Sequence, residues 1–150
     1  MRRLLLTGVL LGALLPGPAL AQGSADDQAA VWAAVEGIWV AAENGEDGWV
    51  DARLSADFMG WPKNSPAPRS RGSKRMWARF DEEQTKGLHH ELYPLSIVVH
   101  GDMAVVHYLY TQVVQEKDRS VTRSNGRYTD VLVRDGADWK FISWHGGADD

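Results

Sequence analysis

The sequence RYTDVLVRDGADWKFISWHGG, residues 127–147, decides the fold of this chain. Residues 128–133 are rich in β-branched side chains and favour a half-buried strand. Asp135 and Gly136 are typical of a tight turn, and residues 139–145 predict the strand that returns. The segment therefore predicts a β-hairpin near the end of the chain.

The register of this hairpin determines which polar side chains meet. If the turn closes without a bulge, Asp130 lies opposite Ser143 and Tyr128 lies opposite His145, because opposed residues share a face of the sheet. A carboxyl, a hydroxyl, a phenol and an imidazole would then form one patch. A bulge at Gly136 would shift the register by one residue and separate them.

Upstream of the hairpin the chain predicts two more long strands. Residues 88–100 and 103–115 are joined by Gly101 and Asp102, which suit a two-residue turn. Pro94 lies within the first of these strands and marks an edge strand or a bulge. With the hairpin, they make four antiparallel strands.

Three helices are predicted before these strands. The first begins near Ser24, carries apolar residues at helical spacing and ends at Asn44. A shorter helix over residues 46–54 and a brief strand over residues 58–61 follow. The third helix begins at Ser73 and is expected to turn three apolar residues to the core: Met76, Trp77 and Phe80. Three helices packed on a curved antiparallel sheet define an α+β domain.

Residues 1–21 predict a secretory signal peptide. Arg2 and Arg3 precede an apolar run over residues 4–15, and Ala19-Leu20-Ala21 supplies a cleavage site. The apolar run is too short to span a bilayer, which takes roughly 20 residues. We therefore expect a domain over residues 22–150 that is periplasmic or secreted, with no membrane attachment after cleavage.

Composition excludes several classes of function. The 150 residues carry a formal net charge of −4 and contain no cysteine. An acidic chain lacks the clustered lysine and arginine that nucleic acid and anionic lipid require, so neither is an expected partner. Without cysteine there is no disulfide and no thiol nucleophile. The seven tryptophans are expected to fill the core or to line an apolar pocket.

A set of short motifs, in this order, resembles a known family. They are the helix end at Asn44-Gly45, residues 57–61 (DFMGW), Gly72, residues 101–106 (GDMAVV), and residues 126–131 (GRYTDV) with Asp135-Gly136, Trp139 and His145. Together they resemble the SnoaL-like branch of the nuclear transport factor 2-like superfamily over about residues 28–147. The resemblance implies a cone-shaped fold, a pocket between the sheet and the first helix, and a homodimer formed through the sheet.

The resemblance does not select a reaction, because the superfamily includes isomerases, cyclases, hydrolases, dehydratases and non-catalytic association modules. Isomerase-like members place an aspartate before a proline at the end of the first strand, as general base. Here Trp61 precedes Pro62, and the nearest earlier carboxylate is Asp57. The Asp-Arg-Asp group of limonene epoxide hydrolases has no match.

His145 and Asp130 are the candidate catalytic pair. A carboxylate can fix the tautomer of an imidazole and raise its basicity, which leaves the other nitrogen to move a proton. The two side chains could instead satisfy each other at the rim of the core. Ser143 lacks the tight turn of a hydrolase nucleophile, so a catalytic triad is not favoured.

Aromatic side chains predict the walls of a pocket for a small apolar molecule. The expected lining residues are Trp39, Trp61, Trp77, Tyr108, Tyr110 and Tyr128. Tyr108 and Tyr110 share a face of their strand and could pack in a dimer interface instead. The chain is thus expected to be a ligand-binding protein, with acid–base catalysis left open, or alternatively a dimerisation module without catalysis.

No metal or cofactor is expected. The adjacent His89 and His90 point to opposite faces of a strand and do not chelate one ion easily. His107, His145 and Asp130 could form a three-ligand site, but nothing in their spacing requires it.

Overall fold

The computed structural model describes residues 23–46 and 48–149. The predicted signal peptide, residues 1–21, lies outside them. Within the described residues, no helix combines the length and the apolar character needed to cross a membrane.

Helix α1, Ala25–Glu43, begins as predicted. Ser24 is its N-cap, and its Oγ accepts a hydrogen bond from the Asp27 amide at 3.0 Å. Arg134 donates to Asp27 at 2.6 Å, which ties the start of α1 to the sheet. The helix buries one side against the sheet: Val31, Ala34, Val35, Ile38 and Ala41.

Four short elements connect α1 to the long strands. They are α2 (Trp49–Arg53), β1 (Met59–Pro62), β2 (Arg69–Ser70) and α3 (Arg71–Gln84). The pair β1–β2 is antiparallel. Ser70 is the N-cap of α3 instead of the predicted Ser73, so the helix begins three residues earlier than a Ser73 cap would place it.

The prediction for the core side of α3 was wrong. Met76 is 74% exposed, Phe80 is 51% exposed, and among the helix residues only Ala78 is buried. Arg75 donates two hydrogen bonds to the Asp51 carboxylate on α2. Arg75 therefore lies on the side of α3 that faces α2, and hydrophobicity alone does not reveal this contact.

The sheet has six strands in the order β2-β1-β6-β5-β4-β3. The long strands are β3 (Thr85–His100), β4 (Met103–Glu116), β5 (Val121–Asp135) and β6 (Asp138–Ala148), and they run antiparallel in sequence order. Strand β1 joins β6 in parallel. Strand β3 lies at the edge of the sheet and its register shifts at Pro94, which confirms the prediction that this proline marks an edge strand or a bulge.

The hairpin turn closes in the predicted register, with Arg134 opposite Trp139. One bulge then interrupts the pairing, between Val131 and Leu132 on β5. The unpaired residue on β6 is Ile142, whose neighbours on both sides have partners. Four residue pairs separate the bulge from the turn, so the bulge is not at Gly136.

The bulge shifts every later pair by one residue. Asp130 lies opposite Trp144 instead of Ser143, and Thr129 lies opposite His145. The predicted patch of four polar groups is therefore not formed. Asp130 points to the inner face of the sheet, towards α1, while His145 points to the outer face.

A glycine in β1 allows the sheet to close over the core. A Cβ at Gly60 would lie 2.5 Å from ring atoms of both Phe58 and Trp144. These two rings pack edge to face, with centroids 4.5 Å apart. Any larger residue at Gly60 must displace one of them.

We expect Gly60→Ala to lower the free energy of unfolding by about 1–3 kcal/mol, because overpacking forces backbone or side-chain shifts. Guanidinium unfolding followed by fluorescence measures this. Gly72→Ala is the matched control, since a Cβ there would meet only Ser70 Oγ at 4.0 Å and alanine is the better helix former. If both variants lost the same free energy of unfolding, overpacking of Phe58 and Trp144 would not explain the effect at Gly60.

Candidate functional site

A cavity of about 150 Å³ lies between the inner face of the sheet and the helices. We call it the inner cavity. Helices α1, α2 and α3 and strands β4, β5 and β6 each contribute to its wall. Its lining residues are Ile38, Trp39, Ala42, Trp49, Lys74, Tyr108, Tyr128, Asp130 and Trp144. It is largely aromatic, with a few polar groups, as small-molecule sites usually are.

Two further cavities adjoin the inner one. The first, of about 540 Å³, shares Lys74, Tyr128 and Trp144 with it, and we call it the mouth. The second, of about 190 Å³, shares Trp39 and Lys74 with the inner cavity and extends towards β3. Lys74 thus lines all three.

Asp130 is the most unusual group in the inner cavity. It is 1% exposed, and neither carboxyl oxygen has a hydrogen-bond partner of normal geometry among the described residues. Burial raises its pKa to about 8, and the neighbouring Tyr108 hydroxyl offsets only part of that rise. At neutral pH the group is therefore mainly a carboxylic acid with an unused O–H donor.

Two tyrosines accompany this acid. Trp39 Nε1 donates to the Tyr108 hydroxyl at 3.0 Å, so the hydroxyl oxygen accepts from α1 while its proton is directed to the neighbouring Asp130 carboxyl. The rings of Tyr108 and Tyr128 are stacked, with centroids 6.0 Å apart. Burial raises the pKa of both phenols, and the Asp130 carboxyl adds to the rise. Both therefore remain protonated donors across the physiological range.

Lys74 brings a cation to the site. Its Nζ lies 5.6 Å from the centroid of the Trp49 ring. Burial lowers the pKa of Lys74; Asp81 and Glu82 oppose that shift, and Arg69 adds to it. No carboxylate of the described residues comes within ion-pair distance of this nitrogen.

The predicted catalytic pair is not assembled. His145 is exposed on the outer face, where its Nδ1 donates to the carbonyl oxygen of Trp61 at 2.9 Å. His107 also lies on the outer face and contacts Thr129. The Ile142 bulge puts Asp130 on the opposite face, so neither an acid–base pair nor a three-ligand site forms. In the described ranges, no three His, Asp or Glu side chains converge in a way that could hold a metal ion.

The predicted pocket residues are divided between cavities. Trp39, Tyr108 and Tyr128 line the inner cavity, and Trp77 and Tyr110 line the mouth. Trp61 was expected in the wall but lies on the outer face, because it pairs with His145 in the β1–β6 ladder and shares its face. Its Nε1 donates to the Ser65 carbonyl oxygen at 2.9 Å.

A carboxylate–imidazole contact occurs elsewhere. His90 Nδ1 contacts the Glu43 carboxylate, and both residues line the cavity that extends towards β3. The ring of Trp39 lies 5.7 Å from that of His90. This contact ties the end of α1 to β3. His89 is exposed and lies near Glu91, on the opposite face of β3 from His90. The two adjacent histidines were expected to point to opposite faces of their strand.

Sequence reasoning missed five residues that line the inner cavity: Ile38, Ala42, Trp49, Lys74 and Trp144. Trp144 follows Ser143 directly, and only the bulge moves it to the inner face. Lys74 precedes the buried Ala78 by four residues, so the two lie on the same side of α3. Their spacing predicts that Lys74 faces inwards once Ala78 is known to be buried.

These features define a class of protein. An open, curved sheet packed on helices with an aromatic cavity between them is the nuclear transport factor 2-like fold. A ketosteroid isomerase-like protein from Erwinia carotovora atroseptica superposes with a TM-score of 0.74 at 15% identity, over 85% of this chain and 99% of that one. A nuclear transport factor 2-like superfamily protein from Salmonella enterica serovar Typhimurium superposes with a TM-score of 0.70 at 10% identity, over 85% and 94%. At these identities the likeness shows the fold alone.

Within that class, the chain belongs to the SnoaL-like domain family, whose sequence profile matches residues 31–148. A search among curated proteins found no match.

The buried acid predicts a pH-dependent stability. The folded-state pKa of Asp130, about 8, lies above its ordinary value of 3.8, so the folded state holds the proton more tightly. The contribution of Asp130 to the free energy of unfolding is fully present below about pH 4. It falls by about 1.4 kcal/mol per pH unit as the pH rises towards 8. Asp130→Asn should remove this slope, as measured by denaturant unfolding between pH 5 and 8.

Tyr128→Phe is the control, because it keeps the carboxyl and should retain the slope. An unchanged slope in Asp130→Asn would show that Asp130 is ionised in the folded protein at neutral pH.

Proposed function

We propose that this protein binds a small, largely apolar molecule in the inner cavity and hydrogen-bonds an oxygen of that molecule through Asp130. The observation that carries the proposal is a buried carboxyl group without a hydrogen-bond partner of normal geometry, facing an aromatic cavity. A buried polar group normally has a partner, because leaving it without one costs free energy. A ligand oxygen would supply the missing partner.

The protonation state of Asp130 specifies the kind of ligand atom. A neutral carboxylic acid donates through its O–H, and the Tyr108 hydroxyl beside it is a second donor. Two donors in the wall of one cavity favour a carbonyl, enol or phenol oxygen as acceptor. The stacked aromatic walls then suit a flat ring system attached to that oxygen.

A matched pair of probes tests this proposal. 2-Acetylnaphthalene and 2-ethylnaphthalene have similar shapes, but only the first has an acceptor oxygen. We expect the acetyl compound to bind roughly tenfold more tightly at pH 6, as for one well-made buried hydrogen bond. The preference should fall as the pH passes about 8, because Asp130 then loses its donor. Titration of tryptophan fluorescence measures both affinities.

Two substitutions of Asp130 distinguish the effect of side-chain shape on ligand binding from the effect of the hydrogen bond to the ligand. Asp130→Leu should abolish the preference at every pH. Asp130→Asn keeps an N–H donor and should retain a preference that no longer depends on pH. If the wild type binds neither probe, or if Asp130→Leu preserves the preference, the proposal is wrong.

The outer face of the sheet supports a second candidate function, self-association. Tyr93 and Leu109 are paired across β3 and β4, and both are more than 40% exposed. Val98 and Met103 extend this apolar surface along the same two strands. Exposed apolar clusters of this kind commonly mark protein interfaces.

Sedimentation velocity tests this second function. If the outer face associates, the wild type should sediment as a dimer and Leu109→Glu as a monomer, because a charge would be buried without a partner. Met76→Glu, on the exposed side of α3, should leave the dimer intact. A monomeric wild type would rule out self-association through this face at the concentrations used.

A further inference from the structure

We propose that the bound molecule is an acid, and that Arg69 and Lys74 in the mouth hold its anionic group. This inference rests on the proposed function of the inner cavity and specifies the class of ligand. It predicts a molecule with an apolar ring system, an acceptor oxygen at one end and a carboxylate or similar anion at the other.

The charges of the mouth differ from those of the whole chain. Among the described residues, its lining includes three cations, Lys63, Arg69 and Lys74, and one carboxylate, Asp81. The chain as a whole carries a formal net charge of −4. A cationic cavity in an acidic protein attracts small anions locally.

Arg69 is held in place without an acidic partner. Its Nε donates to Ser65 Oγ at 3.1 Å, and its guanidinium carbon lies 4.3 Å from the centroid of the Trp77 ring. The stacking fixes the plane of the guanidinium group. No ion pair joins it to a carboxylate in the described ranges, so its terminal N–H groups can bind a ligand anion in two-pronged fashion.

Lys74 lies where the mouth meets the inner cavity. Arg69 is close enough to lower the pKa of Lys74, in addition to the larger effect of burial, so the two cations repel each other. Asp81 and Glu82 on the same helix raise the pKa of Lys74, and the effect of Asp81 is larger than that of Arg69, so Lys74 is kept as a cation beside Arg69. An anion between Arg69 and Lys74 would remove the repulsion and provide each cation with a partner.

The shared walls make the two contacts compatible in one ligand. Tyr128 and Trp144 line both the mouth and the inner cavity, and Asp130 lies in the inner cavity beside them. A ring system packed on Tyr128 and Trp144 can therefore place one end near Lys74 and the other near Asp130. A volume of about 540 Å³ in the mouth accommodates a carboxylate and its ring.

The experiment compares 2-naphthoate with 2-naphthamide, its neutral isostere, at pH 7 by isothermal titration calorimetry. We expect the wild type to bind naphthoate about tenfold more tightly than the amide. Lys74→Met should remove the preference, so that naphthoate and the amide bind this variant with similar affinities. Lys74→Arg should restore the preference, and Arg69→Gln should weaken it.

Lys117→Met is the matched control, because Lys117 is exposed in the turn between β4 and β5, outside the cavity linings described. It should behave as the wild type. Thermal unfolding of each variant verifies that it is folded.

The outcomes separate this inference from the function on which it rests. Equal affinity for the two probes, or a preference that survives Lys74→Met, overturns the anion site while the inner cavity stands. If neither probe binds but 2-acetylnaphthalene does, the anion site alone is again excluded. If no naphthalene derivative binds, both proposals fall.

Discussion

One extra residue in β6 controls the chemistry of this protein. Ile142 has no partner on β5, and the resulting bulge shifts the register of the rest of the hairpin by one position. Because side chains alternate between the faces of a sheet, a shift of one residue exchanges inward and outward positions. The bulge therefore turns Trp144 into the cavity and leaves His145 outside. It also separates His145 from Asp130, which is why the inner cavity contains an acid and phenols but no imidazole from this hairpin.

The inner cavity is defined by what surrounds its carboxyl group. Apolar side chains exclude water from Asp130, so the neutral acid is favoured over the carboxylate. Tyr108 is oriented by Trp39 on α1, which connects the first helix directly to the site. Donors that are fixed before a ligand arrives cost little reorganisation on binding, which is why we propose an oxygen acceptor as the ligand group at this site. In that proposal the fold provides the cavity and the buried acid provides the hydrogen bond.

Helix α3 gives the site its second electrostatic feature. Arg75 on this helix donates hydrogen bonds to Asp51 on α2, and the inner side of the helix presents Lys74 and Ala78. The small side chain of Ala78 leaves room near the cavity, and Lys74 fills part of it with a cation. The apolar residues Met76 and Phe80 point away from the core. A helix that looks amphipathic in sequence thus contributes charge to the cavity and apolar surface to the outside.

Local sequence alone predicted the order of the three helices and the four long strands, the terminal hairpin and its turn, the first helix with its Ser24 cap, and an edge strand or bulge at Pro94. These features depend on residues close together in the chain, so their patterns are visible without a structure. The order of helices and strands likewise predicted the α+β class, and the family resemblance gave the position of the cavity. Tertiary structure decided the bulge at Ile142, the rotation of α3, and hence which of Trp61, Trp144 and Lys74 face the ligand space. Those choices depend on contacts between residues far apart in sequence, such as Phe58 with Trp144 and Arg75 with Asp51, and no local pattern encodes them.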